Sequence, residues 1–208
     1  MAEVLTPKSL NGVDVDALIN TVGAIAEDPA VGSFQFRSST QWKKGAQVET
    51  TFTGHKQNGV DSTRDVPHTW GGDEPVGLLG TGLHQGPTDS LLHSMSHCLV
   101  VSTAYHGAAK SIQIDQLTVD ASGTLDLQGF LGLNPKKRAG FKEIHLQMSI
   151  DSPNSTEEVV ELFNYTQGRS PICQTVRGAT NIVFEFEIED TGAAEAYTAD
   201  DEDRHGVS

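Results

Sequence analysis

The stretch GPTDSLLHSMSHCLVVSTA, residues 86–104, decides the fold because it predicts one long central helix. Pro87 stands at the first helical position, which its fixed φ favours, and Asp89 lies in the first turn, where a carboxylate suits the helix dipole. Val100 and Val101 extend the apolar surface to a second side of the helix. We therefore expect a helix that is apolar around most of its circumference and buried at the centre of the fold. The apolar set at helical spacing is Leu91, Leu92, Met95, Cys98, Leu99 and Ala104.

Upstream of this helix the sequence predicts a second helix and a hairpin. Residues 13–27 (VDVDALINTVGAIAE) have apolar side chains at helical spacing, and Asp28-Pro29 ends the pattern. Residues 34–42 and 48–53 are rich in β-branched and aromatic side chains and flank a turn at 43–45. Residues 54–86 are rich in turn-forming side chains and predict a long irregular connection.

Downstream, the pattern alternates between strands and helices. Residues 112–121 and 124–131 predict two strands joined at Ser122-Gly123, and residues 144–150 predict a third. A capping box at 155–158 begins another helix, and Ser170-Pro171 begins a last, short helix that ends at Gly178. Residues 182–188 predict a closing strand. This order indicates an α+β fold rather than a repeating βαβ fold.

The composition excludes several classes of partner. The 208 residues carry a formal net charge of −14, which repels phosphate backbones and anionic lipid, so we expect neither nucleic acid nor a membrane as partner. No apolar run approaches the roughly 18 residues that span a bilayer, and the first residues lack the order of a signal peptide. We expect a cytoplasmic protein. Residues 190–208, with their acidic cluster at 200–203, predict a disordered tail.

Two cysteines are too few for a disulfide scaffold, so their surroundings matter more than their number. Cys173 lies in RSPICQTVRG and is the third residue of the predicted short helix. There the free backbone N–H groups and the helix dipole favour a thiolate, and Arg169 and Arg177 flank the position.

Cys98 lies about three turns into the central helix, where the dipole of that end no longer acts. The residues alone leave three interpretations open: a small buried apolar side chain, a metal ligand or a nucleophile. His93 and His97 are four residues apart and share a helix face, but no glutamate between them could act as a general base. Solvated histidines are the favoured interpretation over a metal site.

The segments GPTDSLLHSMSHC and RSPIC together resemble the OsmC/Ohr family of thiol-dependent hydroperoxide reductases, over about Ser33 to Glu189. The segments FQFRSSTQW, DEPVGLLG and LDLQGFLGL fit a branch of that family with an extra N-terminal helix. The resemblance implies a helical extension at 1–32, an OsmC-like domain at 33–189 and the tail at 190–208. It also implies curved antiparallel sheets around a long central helix, in an intertwined homodimer with sites at the subunit interface.

The resemblance implies a chemistry as well. Cys98 would be the peroxidatic cysteine that attacks an organic hydroperoxide, and Cys173 would resolve the sulfenic acid as a disulfide. A dithiol, for example a protein-bound lipoyl group, would then reduce that disulfide, and no cofactor or metal is implied. Asp89 takes the place of the acid that this branch has early in the central helix.

Members of the family hold the attacking thiolate with an arginine, and neither of the positions that supply it in the family is an arginine in this chain. Lys43, Arg37 and Arg64 are the candidates to replace it. A lysine supplies charge without the rigid two-pronged donor geometry of a guanidinium. The alternative function is a non-enzymatic OsmC-fold protein that binds a small apolar ligand at the dimer interface, with Cys98 as a packing residue.

Overall fold

A computed structural model of the chain describes residues 9–178 and 180–185. Within them the strands form antiparallel sheets in the orders β1-β2, β3-β4-β5 and β6-β7. This mixture of helices and antiparallel sheets confirms the predicted α+β class. The elements are β1 Ser9–Leu10, β2 Val13–Asp14, α1 Val15–Glu27, β3 Phe34–Lys44, β4 Gln47–Gln57, β5 Val60–Gly72, α2 Pro87–Ala109, β6 Gln116–Thr124, α3 Leu127–Phe130, β7 Glu143–Asp151, α4 Thr156–Gln167 and α5 Pro171–Arg177.

The chain divides into two compact units, residues 1–173 and 174–208. In the second unit α5 ends at Arg177, and the Thr180 hydroxyl donates to the Thr175 carbonyl at 3.3 Å. The prediction of a closing strand is wrong for residues 182–185, which form no strand. A strand exists only through hydrogen bonds to a neighbouring strand, so a β-type pattern is not sufficient. Residues 186–188 and the predicted tail at 190–208 lie outside the described residues.

The N-terminal helix α1 forms as predicted. The Asp14 carboxylate accepts a hydrogen bond from the Ala17 N–H at 3.0 Å and so caps the first turn. At the other end the Asp28 N–H donates to the Ala24 carbonyl, and Pro29 begins a 3₁₀ turn. The Asp28-Pro29 signal therefore ends the helix where the sequence indicated.

The predicted hairpin is confirmed. The long irregular connection predicted at 54–86 is wrong for residues 54–72 and is confirmed for residues 73–86, whose only regular element is a 3₁₀ turn at Val76–Leu78. β4 continues to Gln57, and β5 covers thirteen residues that were expected to be loop. Asn58 and Gly59 join the two strands with φ of 46° and 77°, the left-handed backbone of a two-residue hairpin turn. The sequence prediction missed β5 because its side chains are mostly polar and it contains Pro67, which only an edge strand tolerates.

The sheet β3-β4-β5 leaves large apolar side chains in solvent. Phe36 is 78% exposed, Trp42 is 70% exposed and Val66 is 78% exposed in the single chain. Phe34 and Phe36 stack on each other with ring centroids 6.0 Å apart, and both contact the His55 ring. A sheet with aromatic side chains exposed along one edge strand has the character of an interaction surface.

The buried carboxylate of Asp73 organises the connection between β5 and α2, residues 73–86. It accepts hydrogen bonds from the hydroxyl and N–H of Thr81 and from the N–H groups of Glu74 and Leu83. The Thr81 hydroxyl, followed by these backbone donors, holds the pKa of Asp73 below its usual value. The segment that leads into α2 is thus ordered by one side chain.

The central helix α2 buries a single face. Met95, Leu99, Thr103 and Gly107, each four residues after the last, are buried, whereas Tyr105 on the other side is half exposed. The expectation of a helix buried around most of its circumference is therefore wrong for the single chain, because the side with Val101 and Tyr105 stays exposed. None of the helices in the described chain combines the length and apolar content needed to cross a bilayer.

The buried face of α2 packs on the sheet β6-β7. Met95 and Leu99 form a core cluster with Cys173, surrounded by partly buried side chains of β6 and β7. Farther along, the Thr103 hydroxyl donates to the Thr166 hydroxyl at 3.3 Å, which joins α2 to α4 inside the core. The apolar partners from the sheet are Val119, Ile144, Leu146 and Met148.

The second predicted strand after α2, residues 124–131, is wrong. Ser122 and Gly123 lie inside β6 rather than in a turn, and Asp126 caps the short helix α3 by accepting from the Gln128 N–H at 3.0 Å. A Cβ on Gly123 would stand 2.8 Å from the Phe141 ring, so this glycine lets the ring cross the strand. Ser122-Gly123 therefore resembles a turn in the sequence, but the glycine is there because the Phe141 ring packs against it.

The helices α4 and α5 begin where the sequence predicted. The Ser155 hydroxyl accepts from the Glu158 N–H, and the Glu158 carboxylate accepts from the Ser155 N–H at 3.0 Å, which completes the capping box. Pro171 is the first residue of α5. The two helices are linked by a tight turn in which the Ser170 N–H donates to the Thr166 carbonyl.

We expect Leu162→Ala to destabilise the fold by about 3 kcal/mol, because Leu162 on α4 is completely buried and its removal leaves a cavity. Chemical denaturation gives the free energy of unfolding. The matched control on the same helix is Val160→Ala, since Val160 is 50% exposed and should cost far less. Equal losses for the two variants would contradict this packing of α4.

Candidate active site

Cys98 lies on the face of α2 that the core does not cover. It is partly buried and lines a cavity of about 640 Å³ between α1, α2 and the start of α5. Most of the wall is apolar, and polar side chains lie on both sides of Cys98 along α2. The wall consists of Leu18 and Val22 of α1, Ser94, His97, Cys98, Val101, Ser102, Tyr105, His106 and Ala109 of α2, and Arg169, Pro171 and Ile172 near α5.

Two hydrogen bonds that involve sulfur, one accepted by Cys98 and one donated by Cys173, connect α2 and the start of α5. The backbone N–H of Ile172 donates to Cys98 Sγ at 3.5 Å, and the Cys173 thiol donates to the carbonyl oxygen of Met95 at 3.8 Å. Ile172 lies in the first turn of α5, where backbone N–H groups have no partner within the helix. The start of α5 thus supplies one donor to the cysteine of α2.

The two cysteines have different surroundings, and both are free thiols. Cys173 is only 5% exposed and belongs to the core cluster of Met95 and Leu99. Cys98 instead borders the cavity. Cys173 therefore packs as a small apolar residue, whereas Cys98 does so less. The sequence context of the two cysteines favours the opposite assignment.

Asp89 is not brought to the cysteines. Its Oδ2 accepts a hydrogen bond from the Gly86 N–H at 3.2 Å, so the carboxylate caps the start of α2. Cys98 is nine positions farther along α2, which corresponds to about 13.5 Å along the helix axis. Its contact in the structure is with the helix terminus.

The three cations that the sequence offered for Cys98 are engaged on the sheet β3-β4-β5. Arg37 is paired with Asp61, and Lys43 Nζ lies 3.0 Å from Glu49 Oε1. Arg64 Nη1 lies 2.8 Å from His68 Nε2. The cavity beside Cys98 is lined by a different cation, Arg169.

Arg169 packs against Tyr165 of α4. Its guanidinium lies over the Tyr165 ring, with Cζ 3.6 Å from the centroid, and Nη1 donates to the Tyr165 carbonyl at 3.3 Å. Lys110 Nζ lies 4.4 Å from the centroid of the same ring, and the His106 ring meets it edge-on at 5.0 Å. Two cations therefore converge on one aromatic side chain.

The surroundings of His106 disfavour its protonated form. Burial, and then the positive charges of Arg169 and Lys110, hold the pKa of His106 below its usual value of 6.5. The surroundings thus favour the neutral imidazole, and the positive charge near Tyr165 comes from the guanidinium and the ammonium group.

The histidines of the α2 start do not assemble a metal site. The rings of His93 and His97 lie 5.5 Å apart, and the Trp70 ring meets His93 edge-on at 5.8 Å. Among the residues that the structure describes, no three His, Cys, Asp or Glu side chains are grouped so that they could hold a metal ion. His97 also contributes to the cavity wall.

Sequence reasoning missed the far wall of the cavity. Cys98, Val101, Ser102 and Tyr105 follow helical spacing, so their common face could be found from the sequence. What lies opposite them could not, because α1 and Arg169 are distant in the chain. Arg169 was noted only as a neighbour of Cys173, although it faces the cavity of Cys98.

Comparison with known proteins gives both a family and a fold. A family model described as OsmC-like protein matches residues 80–185. A hydroperoxide reductase of Mycoplasma pneumoniae is 29% identical over 100 residues, which cover 47% of this chain and 65% of that protein. The match therefore spans less than two thirds of the length of this curated relative.

Two crystal structures resemble the fold. An OsmC-like protein from Mycoplasma pneumoniae aligns with a TM-score of 0.54 and 21% identity, over 70% of this chain and 89% of that one. An OsmC-like protein of unknown function from Vibrio cholerae aligns with a TM-score of 0.52 and 11% identity, over 68% and 92% of the two chains. These likenesses support the architecture and not a particular activity.

We expect iodoacetamide to label Cys98 several-fold faster than Cys173 in the folded protein, because only Cys98 borders the cavity. Mass spectrometry of the two cysteine-containing peptides after short reaction times gives both rates. The same protein in denaturant serves as the control, where the two rates should converge. Equal labelling of both cysteines in the native state would contradict the burial difference.

Proposed function

Because this chain belongs to the OsmC-like protein family, we propose that it reduces organic hydroperoxides, with Cys98 as the attacking thiol and Cys173 as the resolving thiol. The observation that carries the proposal is the position of Cys98 Sγ, which borders an apolar cavity and accepts a hydrogen bond from the Ile172 N–H. The name of the Mycoplasma pneumoniae relative, a hydroperoxide reductase, supports the same chemistry.

In the first step the Cys98 thiolate attacks the terminal oxygen of the hydroperoxide ROOH. An S–O bond forms as the O–O bond breaks, so the sulfur is oxidised to the sulfenic acid Cys–SOH and the peroxide is reduced to an alkoxide that takes a proton to become ROH. A backbone N–H that donates to sulfur interacts more strongly with a thiolate than with a thiol. The Ile172 N–H is placed for that role.

In the second step the Cys173 thiol attacks the sulfenic sulfur of Cys98. An S–S bond forms, the S–O bond breaks, and the hydroxyl leaves with the proton of the thiol as water. The Cys173 thiol donates to Met95 while Cys98 faces the cavity, so this step requires the Cys173 side chain to turn from the core toward Cys98. Movement at the start of α5 would provide the rotation.

The cycle closes with a dithiol reductant, which becomes a disulfide while both cysteines return to thiols. The sum of the steps converts ROOH and a dithiol into ROH, water and a disulfide. A lipoyl group is the reductant that we propose. The resting state requires two reduced cysteines, which fits both the free thiols of the structure and a reducing cytoplasm.

We also propose that the protein acts as an intertwined homodimer. A second copy would cover the exposed aromatic and apolar side chains of β3 and β5, such as Phe36 and Val66, and the exposed face of α2 with Val101 and Tyr105. In that assembly Asp89 is a positioning residue, since its carboxylate fixes the start of the helix that carries Cys98. A monomer in sedimentation experiments at micromolar concentration would contradict the assembly.

We expect the purified protein to consume cumene hydroperoxide with a dithiol present, Cys98→Ser to abolish turnover, and Cys173→Ser to lower it at least about tenfold. Peroxide consumption measures turnover, and the mass of non-reduced peptides detects the disulfide between the two cysteines. The matched control is Ser102→Ala, which changes the cavity wall one turn from Cys98 without removing a thiol.

The alternative of a non-enzymatic protein that binds a small apolar ligand makes the opposite prediction for the same experiment. The wild type would then consume no peroxide, and Cys98→Ser would leave ligand binding unchanged. Turnover that persists in Cys98→Ser would contradict both the alternative and the assigned role of this cysteine.

A further inference from the structure

We propose that Ser170 is a positioning residue for the resolving thiol. Its hydroxyl donates a hydrogen bond to the Cys173 sulfur when that sulfur ionises, and so holds it for attack on Cys98. The inference deepens the proposed function and rests on it for the reaction. The contact itself is open to a test that uses no peroxide.

The hydroxyl of Ser170 is a buried hydrogen-bonding group that the fold leaves unused. Ser170 is 0% exposed, and in the part of the chain that the structure describes its Oγ is the single buried side-chain oxygen or nitrogen without a hydrogen-bond partner. A serine just before a helix usually accepts a hydrogen bond from the first turn, but this hydroxyl does not cap α5. A buried hydroxyl without a partner costs free energy and calls for an explanation.

The neighbouring buried hydroxyls differ from Ser170 because they are bonded. Thr103 and Thr166 are also 0% exposed. The Thr103 hydroxyl lies 2.8 Å from the Leu99 carbonyl oxygen, and the Thr166 hydroxyl donates to the Phe163 carbonyl at 3.1 Å. Thr166 is therefore a matched reference, a buried hydroxyl four residues before Ser170 that has its partners.

Cys173 has a partner in the core only while its sulfur carries a proton. The thiol donates to the Met95 carbonyl at 3.8 Å. A thiolate has no proton to donate, and its charge is repelled by a carbonyl oxygen. Ionisation therefore favours rotation of the sulfur away from Met95. Ser170 precedes Cys173 by three residues, the spacing at which the side chains at a helix start interact, and it offers a free donor.

The ionised sulfur is also the form that reacts. In the resolving step the Cys173 thiolate attacks the sulfenic sulfur of Cys98, an S–S bond forms, the S–O bond breaks, and the leaving hydroxide takes up the proton that the thiol released. A donated hydrogen bond favours the thiolate over the thiol. Ser170 keeps its own proton. It holds the nucleophile on the segment that already contacts Cys98 through the Ile172 N–H at 3.5 Å.

The test uses dithiobis-nitrobenzoate, an aromatic disulfide that releases a coloured thiolate, on the reduced full-length protein. One equivalent converts Cys98 to a mixed disulfide, and attack by Cys173 then releases a second coloured thiolate. The rate of this second release across pH measures the attack. We expect Ser170→Ala to slow it about tenfold at neutral pH and to move the pH profile to higher pH, because one hydrogen bond to the thiolate is lost. Ser170→Thr should restore most of the rate.

The matched control is Thr166→Val, which removes a bonded hydroxyl and should leave the pH profile of the second release unchanged. Chemical denaturation should give the opposite order. Thr166→Val should lower the unfolding midpoint, whereas Ser170→Ala should not, because its hydroxyl has no partner to lose.

An unchanged second release in Ser170→Ala, or a slower one with an unchanged pH profile, would overturn the positioning role. A loss of stability in Ser170→Ala as large as in Thr166→Val would also overturn it. Consumption of cumene hydroperoxide separates this role from the proposed function. A second release that depends on Ser170, in a protein that consumes no peroxide, would support the contact and defeat the proposed function. Peroxide consumption with a second release that is independent of Ser170 would defeat the positioning role alone.

Discussion

The contact between α2 and the first turn of α5 is the constraint on which the site depends. α2 has one face in the core, and the same helix must carry Cys98 on a neighbouring face. α5 begins at Pro171, and the backbone N–H groups of its first turn have no carbonyl acceptor within the helix. The Ile172 N–H meets the Cys98 sulfur, while Cys173 packs beside Met95 on the core side. The Ile172 N–H thus gains an acceptor, and the Cys98 sulfur gains a hydrogen-bond donor.

The cavity combines elements from inside and outside the region that defines the family. Cys98, Arg169 and Ile172 lie within residues 80–185, which the family model matches, whereas Leu18 and Val22 of α1 lie outside it. The N-terminal helix therefore gives this chain a wall that the matched region does not contain.

The sequence was sufficient to predict the elements whose bounds depend on neighbouring side chains. The Asp14 cap, the Ser155 capping box and Pro171 each specify a helix start, and the central helix follows from its apolar spacing. It was insufficient where the structure depends on distant contacts. β5 is polar because it lies at an edge, Gly123 is small because Phe141 crosses it, and Arg169 faces a cavity built by helices far away in the chain. The Asn58-Gly59 turn was a local signal that could have revealed β5.

The most direct measurement is hydrogen exchange of the Ile172 amide by NMR, in the wild type, in Cys98→Ala and in Cys173→Ser. As a first-turn amide, it has no helical acceptor, so its protection depends on the Cys98 sulfur. We expect slow exchange in the wild type and in Cys173→Ser, and fast exchange in Cys98→Ala. Unchanged protection in Cys98→Ala, or an unprotected amide in the wild type, would contradict the contact from which the chemistry of Cys98 is derived.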